Sequence, residues 1–217
     1  MCVCKHKHIH KHSILFIKGV KKEMNAKTII LCAVLASQGN WQDTYDIIKD
    51  KNFDVVEDYE ERVEKELQKN TYITLVDESY PKSLQNMYKP PFAFKLEKGD
   101  LDDFMSMTGK YILVSNNQCE MLDIEPKNAI VIKDSIVYVG NDFVIKAFDK
   151  TQAIQIAVSL SDKVLINDDK EINKLIVNLS LVNNKDVYAI PTQNPSLRNN
   201  LIKEGAYLAD SASDLMQ

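Results

Sequence analysis

The first twelve residues hold the densest group of metal-binding side chains in the chain. Cysteine and histidine alternate with other residues there, at Cys2, Cys4, His6, His8, His10 and His12. An extended strand would place the four histidines on one side, where they could bind a divalent metal adventitiously. Because the spacing matches no common structural zinc site, we expect no native metal site.

These residues belong to a basic, histidine-rich tail, residues 1–23, which contains six lysines and one glutamate and so carries a net charge of +5. Lys21, Lys22 and Glu23 stand directly before Met24, and a purine-rich ribosome-binding stretch would encode such residues if it were translated. Two interpretations therefore stay open: a native basic tail, or translation that begins at Met24.

Two aspartates, Asp162 and Asp168, bracket a predicted strand and resemble carboxylates at the strand ends of nucleotide enzymes. No paired base, nucleophile or metal-spaced histidine accompanies them, so the elements of an acid–base or metal-dependent site are missing. These aspartates therefore predict neither an enzyme site nor a bound cofactor.

A polar and basic group of residues stands at the start of the last main predicted helix, residues 195–204. Its members are Asn194, Arg198, Asn199 and Lys203. Backbone amides and the helix dipole favour an anion at such a position, so these side chains are candidate DNA contacts. Helix capping and surface solvation are the alternative. On the same helix, Leu201 and Ile202 face either a partner subunit, as a dimer interface, or the sheet.

Composition limits where nucleic acid could bind. The 217 residues are 45% hydrophobic and 27% charged, which is typical of a folded protein. The net charge is −4, and without the +5 tail the remainder carries −9, so any DNA site must be a local patch. The chain has two arginines, Arg62 and Arg198.

No apolar run is long enough to span a bilayer and the four cysteines form no disulfide framework, so we expect a cytoplasmic protein.

Hydrophobic periodicity predicts an α/β fold of two domains behind the tail. Residues 27–67 repeat apolar side chains every three or four positions, which predicts two or three short helices in an N-terminal domain, residues 24–70. In residues 71–217, strands are predicted at 111–114, 129–132, 136–139, 144–148, 164–166 and 187–190. Helices are predicted at 151–160, 171–182 and 195–204, the last with Gly205 as its C′ residue. Two consecutive β-α steps predict a mostly parallel sheet covered by helices.

Between these regions, residues 72–76 and 92–96 are predicted strands, and Tyr80-Pro81 and Pro90-Pro91 form rigid corners. Four rings in this segment could offer faces on which nucleic-acid bases stack: Tyr72, Tyr80, Tyr88 and Phe92. We favour the alternative, that they pack the proline-rich corners.

Two blocks of sequence resemble the DprA/Smf family of DNA-processing proteins, in a degenerate and shortened form. The first comprises residues 72–84, Tyr88-Lys89-Pro90-Pro91 and residues 98–101. The second comprises residues 160–166, 185–191, 199–206 and 211–215. The resemblance implies a Rossmann-like fold, single-stranded DNA binding, loading of a RecA-type recombinase during DNA uptake in natural transformation, and a homodimer. It implies no catalysis.

The chain departs from the family where phosphate would be bound. The family's glycine-serine-arginine turn corresponds to Ser115, Asn116 and Asn117, which keep donors but no charge, and these three remain candidate DNA contacts. An arginine-rich helix of the family corresponds to residues 152–155, which are uncharged. The glycine-rich serine-glycine loop has only a faint counterpart at residues 139–142. We therefore expect weakened DNA binding. A non-catalytic dimerisation or interaction module that has lost DNA binding is the first alternative, and a Rossmann-like protein that binds a small nucleotide is the second.

Overall fold

The structure, a computed structural model, describes residues 24–107, 111–116 and 124–215. The chain divides into two compact units, one ending at residue 68 and the other beginning at residue 69. The basic tail, its histidines and cysteines, Asn117 and Cys119 lie outside the described residues.

The N-terminal unit consists of three helices, α1 (Ala26–Ala36), α2 (Trp41–Lys49) and α3 (Phe53–Leu67). Asn25 begins α1 because its Oδ1 accepts a hydrogen bond from the backbone N of Thr28 at 2.8 Å, and Asn40 begins α2 in the same way. The apolar helix α1 packs against α3. The prediction of two or three short helices is confirmed. The described part of this unit carries ten acidic and five basic side chains, a net charge of −5.

The C-terminal unit is built on one sheet. Nine strands lie within its described residues: β1 (Thr71–Thr74), β2 (Ala93–Lys98), β3 (Ile112–Val114), β4 (Ala129–Lys133), β5 (Ile136–Val139), β6 (Phe143–Lys146), β7 (Lys163–Ile166), β8 (Asp186–Ala189) and β9 (Tyr207–Leu208). Their order across the sheet is β1-β2-β6-β5-β4-β3-β7-β8-β9. Strands β4, β3, β7, β8 and β9 pair in parallel, and β1, β2, β6, β5 and β4 pair in antiparallel fashion. The predicted Rossmann-like α/β fold is confirmed, with an antiparallel extension on one side.

Six helices accompany the sheet in the described part of this unit: α4 (Lys82–Gln85), α5 (Leu101–Met105), α6 (Lys150–Leu160), α7 (Ile172–Val182), α8 (Leu197–Lys203) and α9 (Ala212–Leu215). Helix α6 is buried along most of its length, including Ile154, Ile156 and Val158. Strand β3 and residues 164–166 of β7 are continuous apolar runs, as parallel strands covered on both faces require. The main core therefore lies between α6 and the sheet.

Two glycines with positive φ in the C-terminal unit bear on the sequence predictions. Gly205 ends α8, as predicted: its φ is +111°, its N–H donates to the carbonyl of Ile202, and the next N–H, from Ala206, donates to that of Leu201. Gly140, in the faint counterpart of the family's glycine-rich loop, has a φ of +56° and lies in the β5–β6 hairpin. It therefore makes a tight turn rather than ending a parallel strand.

Candidate functional site

The candidate site lies at the carboxyl ends of β3 and β7. The chain leaves β3 toward β4 on one side and later returns to β7 on the other side, so the strand order reverses between them. In open α/β sheets, ligands bind in the crevice at such a reversal. Ser115 and Asn116 follow β3 there, and Asn167, Asp168 and Asp169 follow β7.

Asn167 joins the ends of the two strands. Its backbone N donates to Ser115 Oγ at 3.0 Å, Ser115 Oγ donates to its Oδ1 at 2.8 Å, and its Nδ2 donates to the carbonyl of Asn116 at 3.3 Å. The side chain is 4% exposed, so these bonds replace water almost completely. The Ser115 hydroxyl, a predicted DNA contact, is therefore engaged in fixing the edge of the sheet.

Arg198 reaches the same edge from α8. Its guanidinium donates to Asp169 Oδ2 from Nη2 at 2.9 Å and from Nε at 3.2 Å, and to the carbonyl of Asn167 from Nη1 at 3.2 Å. The hydrogen bonds from Arg198 hold the pKa of Asp169 below its usual range. The Nε and Nη2 donors that hold this carboxylate cannot also fork onto a phosphate unless the pair separates. The structure thus brings Ser115, Asn116 and Arg198 together at one edge of the sheet. The arginine, however, is already paired with Asp169.

Asn199 serves the loop before α8. Its Oδ1 accepts from the backbone N of Thr192 at 2.9 Å, and its Nδ2 donates to the carbonyls of Thr192 at 2.8 Å and Asn194 at 2.9 Å. Ser196 caps the helix by accepting from the backbone N of Asn199. In this fold, then, Asn199 fixes a loop and Ser196, which was not predicted, is the cap.

The remaining predicted contacts have different surroundings. Within the described residues, the side chains of Asn116, Asn194 and Lys203 make no hydrogen bond or ion pair, and Asn194 and Lys203 are exposed. Leu201 is buried in the core of its own subunit, and Ile202 is half-buried against that core. Ile202 is therefore the only one of the predicted dimer pair whose side chain keeps substantial exposure.

Sequence reasoning missed Asn167 and Asp169. Their signal was a polar triplet, 167–169, directly after a buried strand, of which only Asp168 was considered. Asp168 accepts from the Nδ2 of the fully buried Asn173, on α7, through both its carbonyl and its carboxylate. It therefore fixes the start of α7, a role that the sequence did not predict.

Comparison with known proteins identifies a solved structure of similar architecture. No protein-family model and no curated protein sequence matches the chain. Among solved structures, it is similar to the X-ray structure of DNA processing protein A (DprA) from Streptococcus pneumoniae, with a TM-score of 0.57 and 16% sequence identity. The match covers 88% of this chain and 92% of that chain. The chain has a DprA-like fold.

The DprA-like fold agrees with the resemblance seen in the two sequence blocks, and it extends over both the helical unit and the sheet unit. At this identity, the comparison establishes the architecture alone. In the part of the chain that the structure describes, no helix combines the length and the apolar character needed to cross a membrane.

Proposed function

We propose that the protein is a DprA-type DNA-processing protein that binds single-stranded DNA weakly and hands it to a RecA-type recombinase, without catalysis and as a homodimer. The observation that carries this proposal is the convergence of Ser115, Asn116 and Arg198 at the strand-order reversal of a DprA-like sheet. This edge is where the fold class binds its ligands.

We expect weak binding because few charged hydrogen-bond donors at this edge are available to a phosphate. The guanidinium that would fork onto a phosphate is held by Asp169, and the donors that remain, the amides of Asn116 and Asn194, carry no charge. Lys203 supplies one ammonium group. Since each neutralised phosphate contributes about −0.7 to the salt slope of single-strand binding, the one ammonium group at this edge predicts a slope of about −0.7.

Fluorescence anisotropy with a labelled oligo-dT at 20 and 200 mM salt tests the proposal. We expect measurable binding at about 20 mM salt that falls only modestly at the higher concentration. Absence of binding at low salt would contradict the DNA-binding function. A steep slope would contradict the assignment to a few weak contacts.

The Asp169→Asn variant tests whether this edge is the binding site. Removing the carboxylate charge releases Arg198, so affinity should rise a few-fold and the salt slope should steepen by about 0.7. Asp162→Asn is the matched control, because Asp162 is exposed, lies at the other end of β7 and changes the net charge equally. Equal effects of the two variants would show that only overall charge matters.

The engagement of Arg198 also favours a second candidate, an interaction module that keeps the fold and has lost DNA binding. Size-exclusion chromatography with light scattering separates the candidates when combined with anisotropy. A stable dimer that binds no oligonucleotide supports the module. A strict monomer contradicts the homodimer in both proposals, and stimulation of recombinase filaments on oligo-dT supports only the first.

A further inference from the structure

The segment between α4 and β2 presents one aromatic ring to solvent. Tyr88 is 80% exposed, whereas Tyr72 and Tyr80 are buried and Phe92 is half-buried. The interpretation that these rings pack the proline-rich corners is confirmed for Tyr80, whose hydroxyl bonds the carbonyl of Pro91, and is wrong for Tyr88. The ring of Tyr88 contributes almost nothing to the core, so its placement needs another explanation.

The backbone that carries this ring is held firmly from below. Gln155, a buried residue of α6, donates from Nε2 to the carbonyl of Tyr88 at 3.0 Å and to that of Lys89 at 3.3 Å. The hydroxyl of the buried Tyr80 donates to the carbonyl of Pro91 at 2.6 Å. Pro90 and Pro91 fix their own φ angles. Three carbonyls around Tyr88 are therefore held, which fixes the backbone from which the exposed ring projects.

Lys89 adds strain and charge at the same corner. Its φ is +51°, in the left-handed region that lysine rarely adopts, and a following proline restricts it further. Such conformations persist where the surrounding structure imposes them, and they concentrate at binding sites. The Lys89 ammonium lies 5.8 Å from the centre of the Tyr88 ring. Ring and cation therefore form one unit.

The local charge is opposite to that of the molecule as a whole. Residues 79–96 contain three lysines and no acidic residue, although the chain carries a net charge of −4. Lys95 forms an ion pair with Glu97 at 3.4 Å, so the positive charge of this segment is that of Lys82 and Lys89. The neighbouring Gln85 and Asn86 are exposed and polar, so Tyr88 is not part of the contiguous apolar patch that a protein partner would require. An isolated ring beside a cation fits a base and its phosphate.

We propose that Tyr88 is a stacking platform for an unpaired base of single-stranded DNA and that Lys89 meets the adjacent phosphate. The inference rests on the proposed DNA-binding function and adds a second contact region to the edge at β3 and β7. Every base has a π-face, so stacking on one ring strengthens binding without selecting a sequence. Because the backbone that carries the ring is fixed before binding, only the side-chain torsions of Tyr88 lose freedom when a base stacks on it.

Anisotropy with oligo-dT on the full chain tests this platform. We expect Tyr88→Ala to weaken binding about fivefold or more, the loss measured for one base–aromatic stack, and Tyr88→Phe to retain wild-type affinity. The loss should be the same at both salt concentrations, because tyrosine is uncharged, whereas Lys89→Gln should flatten the salt slope. Tyr138→Ala, which removes another partly exposed tyrosine of the same unit, is the control and should leave affinity unchanged.

A spectroscopic measurement gives an independent readout. In a background in which Trp41, the only tryptophan, is changed to Phe, the Tyr88→Trp variant should lose fluorescence when oligo-dT is added, because a base stacks on the indole. Wild-type binding that Tyr88→Ala leaves unchanged, or unaltered emission on saturation, overturns the platform alone. If the wild type binds no oligo-dT at low salt, the proposed function fails together with the platform.

Discussion

Asn199 illustrates how one amide can serve a loop at a position where the sequence also permits a ligand contact. It satisfies the N–H and the carbonyl of Thr192 and the carbonyl of Asn194. The sequence places Asn199 at the start of a helix, and capping was one of the two alternatives. Distinguishing them required the position of residues 192–194, which is set by tertiary packing and not by helix periodicity. The same reason explains why the Asp169 partner of Arg198 was missed.

We predict that Asn199→Ala lowers the free energy of unfolding by about 1–3 kcal/mol, because three backbone groups lose their partner. The lower part of this range is expected since the loop is partly exposed. Asn200→Ala, at an exposed neighbour in the same helix whose side chain bonds no described residue, should cost less than about 0.5 kcal/mol. Urea unfolding of the two variants gives the comparison, and equal midpoints would refute the role of Asn199.

Cys32, on α1, provides a second prediction at the residue scale. Burial, reinforced by the negative charge of Glu60, raises the pKa of its thiol from 9.0 to about 11. The thiol therefore stabilises the fold at any pH below about 9, and this contribution is lost as the pH rises toward about 11. At pH 8, iodoacetamide should leave Cys32 unmodified in the folded protein and modify it in urea. Peptide mass mapping isolates this cysteine from the others, and rapid labelling without urea would contradict its burial.

At the scale of elements, the sequence predicted the longer helices and most strands, and it missed the shortest helices and the shortest strand. The strands at 129–132, 136–139 and 164–166 and the helices at 151–160 and 171–182 are present with small shifts at their ends. Helices α4, α5 and α9 and strand β9 were not predicted, because a helix of four or five residues is little more than one turn and a strand of two residues shows no alternation. Strand β9 exists because Tyr207 and Leu208 pair with β8, a contact between distant parts of the chain.

The β5–β6 hairpin gives a prediction of its own. A Cβ at Gly140 would lie 2.6 Å from the carbonyl oxygen of Lys127, which is backbone and cannot move aside easily. Gly140→Ala should therefore cost more than the roughly 1 kcal/mol of a left-handed φ alone. Gly140→Asn tests the cause: asparagine tolerates this φ, but its Cβ meets the same oxygen. Thermal unfolding should show both variants similarly destabilised, and rescue by asparagine would show that only φ matters.

At the scale of the whole molecule, the two units share an acidic character that opposes DNA. The helical unit carries −5 within its described residues, and exposed carboxylates such as Asp54, Glu57 and Asp58 line α3. At low salt, charges act over a Debye length of about 30 Å, which is of the order of a small domain's size. Composition alone predicted this acidity and the need for a local basic patch, but only the structure showed which lysines accompany an exposed ring.

We predict that neutralising Asp54, Glu57 and Asp58 together to Asn, Gln and Asn raises affinity for oligo-dT at 10 mM salt and leaves it unchanged at about 300 mM, where screening is strong. The substitutions lie outside the sheet unit, so a gain at low salt reports repulsion and not a new contact. Anisotropy across the salt range measures it. A gain that persists at high salt would indicate direct contact between α3 and the oligonucleotide.

Helix α6 connects the interior of the sheet unit with the exposed ring of Tyr88. Its apolar side chains form the centre of the sheet unit, and its Gln155 holds the carbonyls of Tyr88 and Lys89. A substitution in the interior that tilts or shifts α6 would therefore move a ring on the outer surface, even though no residue near that ring had changed. The environment of Tyr88 therefore reports on how the interior is packed. Its NMR chemical shifts should change in core variants that are still fully folded.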